Sequence, residues 1–313
     1  MAPVGFAYDE ALLRHEPPPW HPDAPERLIH IVASLKAAGL WDRLTHLAPR
    51  RASEQDIALV HTREHVERVK AAGEGAIDPD TYLSAGSYEA ALCAAGAVME
   101  AVEQCRNSGM RRAFCAVRPP GHHAEADQAM GFCLFNNVAV GARHARRIGF
   151  ERVFIIDFDA HHGNGTQHIF EEDDRVFYFS THQHPYYPDT GKDGERGRGR
   201  GEGYTYNVPI LAGSGNKDYL MVYQDILPGV VRRFAPDLIL ASAGYDIHVS
   251  DPHANIRVTS EGVLGIVRSI LTCSDAPTVF VLEGGYDLAS LGESVRITIE
   301  EMLRPPARSR AEI

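Results

Sequence analysis

Residues 153–165 read Val-Phe-Ile-Ile-Asp-Phe-Asp-Ala-His-His-Gly-Asn-Gly. The apolar run Val153 to Ile156 is too short for a helix and reads as a buried strand. Directly after it come Asp157, Asp159, His161, His162 and Asn164, with glycines on both sides of Asn164. Asp159 and His161 alternate with Ala160, so in an extended segment both side chains point to the same side. A crowd of ligands and bases at the end of a strand asks for the same inspection of every other apolar run.

Four more runs are short and apolar: Ala113 to Val117, Val176 to Phe179, Leu238 to Ala241 and Thr278 to Leu282. Around them lie stretches with apolar residues at three- and four-residue spacing, which predict helices over Pro25–Leu40, Ser87–Arg106, Asn137–Ile148, Asp218–Phe234, Ser260–Thr272 and Leu291–Leu303. Helix and strand alternate, so the fold class is α/β, with a parallel sheet covered on both faces. Without an internal repeat or a Pro/Ser-rich linker, residues 1–313 are expected to form one domain. Three of the other runs also lead into polar motifs: Arg118-Pro119-Pro120-Gly121-His122-His123, Ala243-Gly244-Tyr245-Asp246 and Glu283-Gly284-Gly285-Tyr286. Ligands of open parallel sheets bind at the carboxyl ends of strands, so four loops are expected to build one site.

Composition limits the function classes. The chain has 313 residues, 44% of them apolar, and a net charge of -11. That is enough to bury a large core, and the charge argues against general nucleic-acid binding. Acidic residues Asp9 and Glu10 stand where a secretory signal would be apolar. No stretch approaches the ~18 apolar residues of a membrane helix. Five cysteines without a C-x-x-C pair read as reduced core residues, and the expected compartment is the cytoplasm.

Residue types suggest the chemistry. Asp159, His161 and Asp246 form a three-ligand metal site that leaves room for water and substrate, as catalytic zinc sites do. His122 and His123 supply proton transfer, Asp157 and Asn164 orient their rings, and Tyr286 on a Gly-Gly turn donates to a developing oxyanion. A His-His pair or an Asp-x-His alone carries little weight. Four motifs that supply different parts of one mechanism, that of a metal-assisted amide hydrolase, carry much more.

RPPGHH (118–123), GFCLFNN (131–137), DFDAHHGNGTQ (157–167), HPYYPDTG (184–191), AGYD (243–246) and LEGGY (282–286) together resemble the zinc-dependent histone deacetylase superfamily, from about His21 to Leu303. The resemblance implies the arginase–deacetylase fold, a mainly parallel eight-stranded sheet between helix layers, and hydrolysis of acetylated amines. Asn164 and Glu283 look like its class II branch, which includes bacterial histone-deacetylase-like amidohydrolases and acetoin-utilisation proteins. It implies Zn2+, or Fe2+, on Asp159, His161 and Asp246, with His123 as general base and then acid. His122 is its electrostatic partner held by Asp157, and Tyr286 polarises the carbonyl. Asn164 replaces the Asp of class I, so His123 lacks an anionic partner that would raise its pKa.

Gly131, Phe132 and Tyr187 align with the tunnel that takes an acyl-lysine stem. Arg27 resembles an arginine of the inner acetate-release cavity, or is a surface arginine at a helix start. K+ is implied beside the metal, on Asp157, Ser180 and backbone oxygens of Asp159, His161 and Thr181.

Some segments leave alternatives open. His253 stands at a rim position that is commonly Leu or Met in lysine deacetylases and acidic in a polyamine-selective relative. An exposed imidazole there would titrate near ~6.5 and repel a cationic substrate at low pH, or it merely caps a turn after Pro252. The substrate is therefore acetyl-lysine or an acetylated polyamine or other small amine. Gly194 to Gly203, GERGRGRGEG, reads as a family loop in preference to a nucleic-acid binder. A binuclear manganese ureohydrolase would need carboxylates where Gly163 and His248 stand. A non-catalytic acetyl-binding module would have no use for the full set of ligands, His pair and Tyr286.

Overall fold

In the computed structural model, which describes residues 3–305, the strands are β1 (Val4–Ala7), β2 (Thr45–Leu47), β3 (Gly75–Asp78), β4 (Thr81–Leu83), β5 (Arg112–Cys115), β6 (Val153–Asp157), β7 (Val176–Gln183), β8 (Thr205–Ile210), β9 (Leu238–Ala243) and β10 (Thr278–Leu282). Residues 1–2 and 306–313 of the expected 1–313 domain lie outside the described residues. Strands β3 and β4 form an antiparallel pair, and the other eight make one sheet in the order β2-β1-β5-β10-β9-β6-β7-β8. Every pairing in that sheet is parallel. All residues of β6, β7, β9 and β10 are buried, as strands covered by helices on both faces must be.

The predicted helices appear as Glu26–Ala37, Ser87–Asn107, Asn137–Arg147, Ser260–Thr272 and Leu288–Met302. Side-chain caps explain two of the starts: Asn136 accepts from the Ala139 N–H at 3.0 Å and Asp287 from the Ser290 N–H at 2.8 Å. The predicted helix 218–234 is broken into Asn216–Met221, a π turn Val222–Ile226 and Leu227–Phe234. Pro228 lacks an N–H and its ring crowds the carbonyl four residues back, which the wider turn accommodates. Among the described residues, no helix is long and apolar enough to cross a membrane.

Three strands of the sheet escaped the search for apolar runs. Strands β1 and β2 are only four and three residues long, and β8 (Thr-Tyr-Asn-Val-Pro-Ile) is polar and contains Pro209. An edge strand tolerates a proline because one side of it has no ladder partner. Strand β7 also continues four residues past Phe179, because Ser180, Thr181, His182 and Gln183 are polar yet buried.

Strand order explains the site. Strands β9 and β10 insert between β5 and β6, so the four strands that end in the polar motifs are adjacent at the centre of the sheet. At ~4.8 Å per strand, their carboxyl ends lie within about 15 Å of one another.

Candidate metal centre and its tunnel

Strand β6 stops at Asp157, and residues 158–163 form an irregular loop instead of the extended segment expected for Asp159 and His161. Backbone amides hold this loop. Asp157 accepts from the Asp159 N–H at 3.1 Å, Asp159 from the His161 N–H at 2.8 Å, and Asp246 from the Ala160 N–H at 2.8 Å. The loop thereby brings one ligand atom each of Asp159, His161 and Asp246 within 4.8 Å of one another. His161 Nδ1 lies 3.1 Å from Asp159 Oδ1 and 2.9 Å from Asp246 Oδ2.

This donor set fits a divalent cation. Both carboxylates are buried, and burial first, then the charge of Asp159, pushes Asp246 up to about 7. Asp246 is thus short of compensating positive charge, while His122 and His161 hold Asp159 below the usual carboxylate range against its burial. The backbone makes room for them at glycine. A Cβ on Gly284 would stand 2.5 Å from Asp159 Oδ2 and 2.6 Å from Asp246 Oδ2, while its N–H donates to Asp159 at 2.8 Å.

The histidine pair is split electrostatically. His122 Nδ1 donates to Asp157 Oδ2 at 3.0 Å, and that oxygen also accepts from the Tyr178 hydroxyl at 3.1 Å. Burial opposes a charge on His122, but Asp157, Asp159 and Glu283 outweigh it and hold the ring up at about 10. His123 is driven the other way, well below 6.5, by burial first and then by the charges of His122 and His161. Its Nδ1 meets Asn164 Oδ1 at 2.8 Å, so its partner is a neutral amide. Gly163 lies against this group: a Cβ there would stand 2.3 Å from Asp157 Oδ2 and 3.1 Å from His122 Nδ1.

A cavity of about 170 Å³ opens onto these groups. Gly131, Phe132, Tyr187, His253 and Tyr286 line it with Asp159, His161 and both histidines. Phe132 holds φ 67°, a left-handed conformation rare for a bulky residue, with its N–H donating to Thr81 Oγ1 at 3.1 Å. This turns its ring to within 5.9 Å of Tyr286, edge to face. Tyr286 is pushed well above 10 by burial, against the nearby Arg27, and so keeps its proton at neutral pH.

Ser180 pairs across from Asp157 in the sheet. His182 directs Nε2 at the Gly191 carbonyl, 2.8 Å away, so its Nδ1 accepts from Ser180 Oγ at 2.9 Å. The hydroxyl's lone pairs are left free, which suits a cation ligand. Thr181 Oγ1 instead meets the Tyr223 hydroxyl at 2.9 Å, leaving only its backbone oxygen for the role expected of it.

Of the two readings of Arg27 the surface one fails, and the expectation of an exposed His253 needs correction. Arg27 is no surface residue: it is fully buried, bonds Asp23 Oδ1 at 2.6 Å and the Gly285 carbonyl at 2.7 Å, and sits 4.9 Å over the Tyr286 ring. His253 is half-buried, edge-on to Tyr286 at 4.8 Å, and burial lowers its pKa from 6.5. It therefore carries less charge at pH 6 than an exposed imidazole would. Arg198, in the glycine-rich segment, pairs with Glu171 and Glu172 of the same chain.

Several side chains of the site were given no part in it from the sequence. Asp80, in the β3–β4 turn, lines the cavity and accepts from the Gly131 N–H at 3.0 Å, but no neighbouring motif flags it. Tyr178 lies inside an apolar strand. Glu283 accepts from the Gly121 N–H at 2.7 Å and from Ser242 Oγ at 3.0 Å, tying three of the loops together. Glu125 stands two residues beyond the histidine pair, so the motif itself could have pointed to it.

The model of the histone deacetylase domain matches residues 21–302. The chain belongs to the histone deacetylase family. It is 41% identical to a probable deacetylase of Archaeoglobus fulgidus over 91% of this chain and 82% of that protein. Histone deacetylase 5 of Arabidopsis thaliana is 40% identical over 96% of the chain, which spans only 49% of that longer protein. The human polyamine deacetylase HDAC10 is 36% identical, with 90% of this chain and 45% of that one covered. A crystal structure of the HDA15 HD domain superposes with a TM-score of 0.93 at 37% identity, covering 96% of this chain and 91% of that one. The fold is thus the arginase–deacetylase fold expected for the family, with a wholly parallel sheet.

Proposed function

We propose that this histone deacetylase family member hydrolyses the amide of an acetylated lysine or of a small acetylated amine at the Asp159–His161–Asp246 centre. What supports the reading most is the split histidine pair beside a three-ligand metal site, on a cavity lined by Phe132, Tyr187 and Tyr286. Zinc bound to these three residues, or ferrous iron, would polarise the acetyl carbonyl and ease deprotonation of a water. Potassium is assigned to Asp157, Ser180 and the backbone oxygens of Asp159, His161 and Thr181.

The protein's own groups divide the remaining work. Neutral His123 takes the proton of the attacking water and returns it to the leaving amine. Charged His122, fixed by Asp157, stabilises the negative charge that builds between the two events. Tyr286 donates to the carbonyl oxygen as it becomes an oxyanion. Gly131, Phe132 and Tyr187 enclose the methylene stem and exclude water from it.

A second reading, an acetylpolyamine as substrate, is favoured by the mouth of the cavity. Asp80 lines it, and Asp78 beside Asp80 is pushed up to about 6 by burial first and by its hydrogen bond to Asp80. A distal ammonium would relieve that crowding of carboxylates. The named activity of the human relative agrees with this reading. The test is release of acetate by purified enzyme from acetyl-lysine peptides, acetylputrescine, acetylcadaverine and acetylspermidine, compared by kcat/KM. No release from any of them, with metal bound, would refute both readings.

A further inference from the structure

We propose that Glu125 is a positioning residue that sets the tautomer of His123 by orienting the Asn164 amide. The inference rests on the assignment of His123 as proton-transfer base. An asparagine amide has nearly isosteric ends, and its partners alone decide which faces where. Asn164 Nδ2 lies 2.5 Å from Glu125 Oε1, and a carboxylate only accepts. The amino end must therefore face Glu125, which turns Oδ1 to His123 Nδ1 at 2.8 Å. Facing an oxygen that only accepts, Nδ1 carries the ring proton. Nε2 is left with the lone pair that a base needs.

Glu125 is itself held in place. Its Oε1 also accepts from His168 Nδ1 at 2.9 Å, its N–H donates to the Gln128 carbonyl at 2.9 Å, and its carbonyl faces His61 Nδ1 at 2.9 Å. Asn164 and His168 are four apart on the helix Asn164–Phe170, so one helical face grips the carboxylate twice. The remaining partners of Nδ2 are the His123 carbonyl at 3.3 Å and Met130 Sδ at 3.4 Å, both longer and uncharged. They favour the same orientation weakly. A neutral Asn thus receives from Glu125 the directionality that an Asp at position 164 would have by itself.

That contrast supplies the test. Glu125→Ala should lower kcat about tenfold with KM within twofold and metal content unchanged. In the Asn164→Asp background the same change should cost nothing, because a carboxylate accepts at either oxygen and needs no orienting. Ring 15N shifts of the metal-loaded protein should show His123 with its proton on Nδ1, and a mixture of tautomers in Glu125→Ala. Glu125→Gln, whose amide can turn either way, should give a smaller loss and a partial mixture, and serves if the alanine variant does not fold. Equal losses in both backgrounds would reduce Glu125 to a structural support, and an unchanged His123 tautomer would overturn the proposal. The ring shifts do not depend on substrate, so they decide this point even if no acetylated amine is hydrolysed.

Discussion

Tyr286 and His253 meet edge to face at the cavity wall, and a different outcome is expected for each. Tyr286→Phe removes a single donor to the oxyanion, so turnover should fall by roughly two to three powers of ten with metal content unchanged. Unaltered turnover would leave Tyr286 a packing residue. His253 is a half-buried imidazole whose pKa burial lowers from 6.5, so it carries less charge at pH 6 than an exposed imidazole would. The shift that His253→Leu makes in the ratio of kcat/KM for acetylputrescine and a neutral acetyl-lysine peptide should therefore differ between pH 6 and pH 8 by less than removal of an exposed imidazole would give. A shift confined to pH 6 would mean that the ring is charged there. His123 gives a second pH expectation. Its neutral form is the proposed base and its pKa is depressed, so the acidic limb of kcat/KM should lie below pH 6.5. A limb above 6.5 in the pH–rate profile would contradict that role.

At the scale of elements, each motif combines a strand that fixes position with a loop that must run very close to charged side chains. Gly244, Gly163 and Gly284 are the points of closest approach. Gly284→Ala would press a methyl against both ligand carboxylates, and overpacking of this kind typically costs about 1–3 kcal/mol. It should reduce metal retained after dialysis and lower the melting temperature. Full metal content with an unshifted melt would show that the loop yields more easily than its contacts suggest. The same loops mark how much could be read beforehand. Asp159, His161, Asp246, the histidine pair and Tyr286 were readable as candidates because each follows an apolar run. Asp80 was not, because it lies in a turn outside the main sheet and gains meaning only where that turn folds over the cavity. Nor were β1, β2 and β8, which are short or polar because they lie at or near an edge. Arg27 was ambiguous for another reason: Asp23 lies only four residues away, but the Gly285 carbonyl is brought to it by tertiary structure.

For the molecule as a whole, the carboxyl edge of the sheet concentrates buried negative charge on Asp157, Asp159, Asp246 and Glu283. Without metal, Asp246 has a folded-state pKa raised to about 7, above its unfolded value near ~3.9. Such a group stabilises the fold fully below the unfolded value, and that contribution is lost as pH rises through 7. The contribution of Asp246 to the metal-free fold should therefore fall between about pH 4 and pH 7, whereas bound metal keeps both carboxylates ionised. The gap in melting temperature between metal-loaded and chelator-treated protein should be wider at pH 8 than at pH 6. Equal gaps would mean that the three ligands do not meet in the metal-free fold.

The insertion of β9 and β10 between β5 and β6 also determines when this protein can first be complete. During synthesis β5 leaves the ribosome well before β10, by about 10–30 s at common elongation rates of ~5–20 residues per second. Over that interval the inner edges of β5 and β6 have no partners, and unpaired apolar edges are templates for aggregation. The two last strands must enter the centre of the sheet, a non-local pairing that is slow by its nature. Production of this chain should therefore depend on slow synthesis and on holding chaperones more than its final burial would suggest.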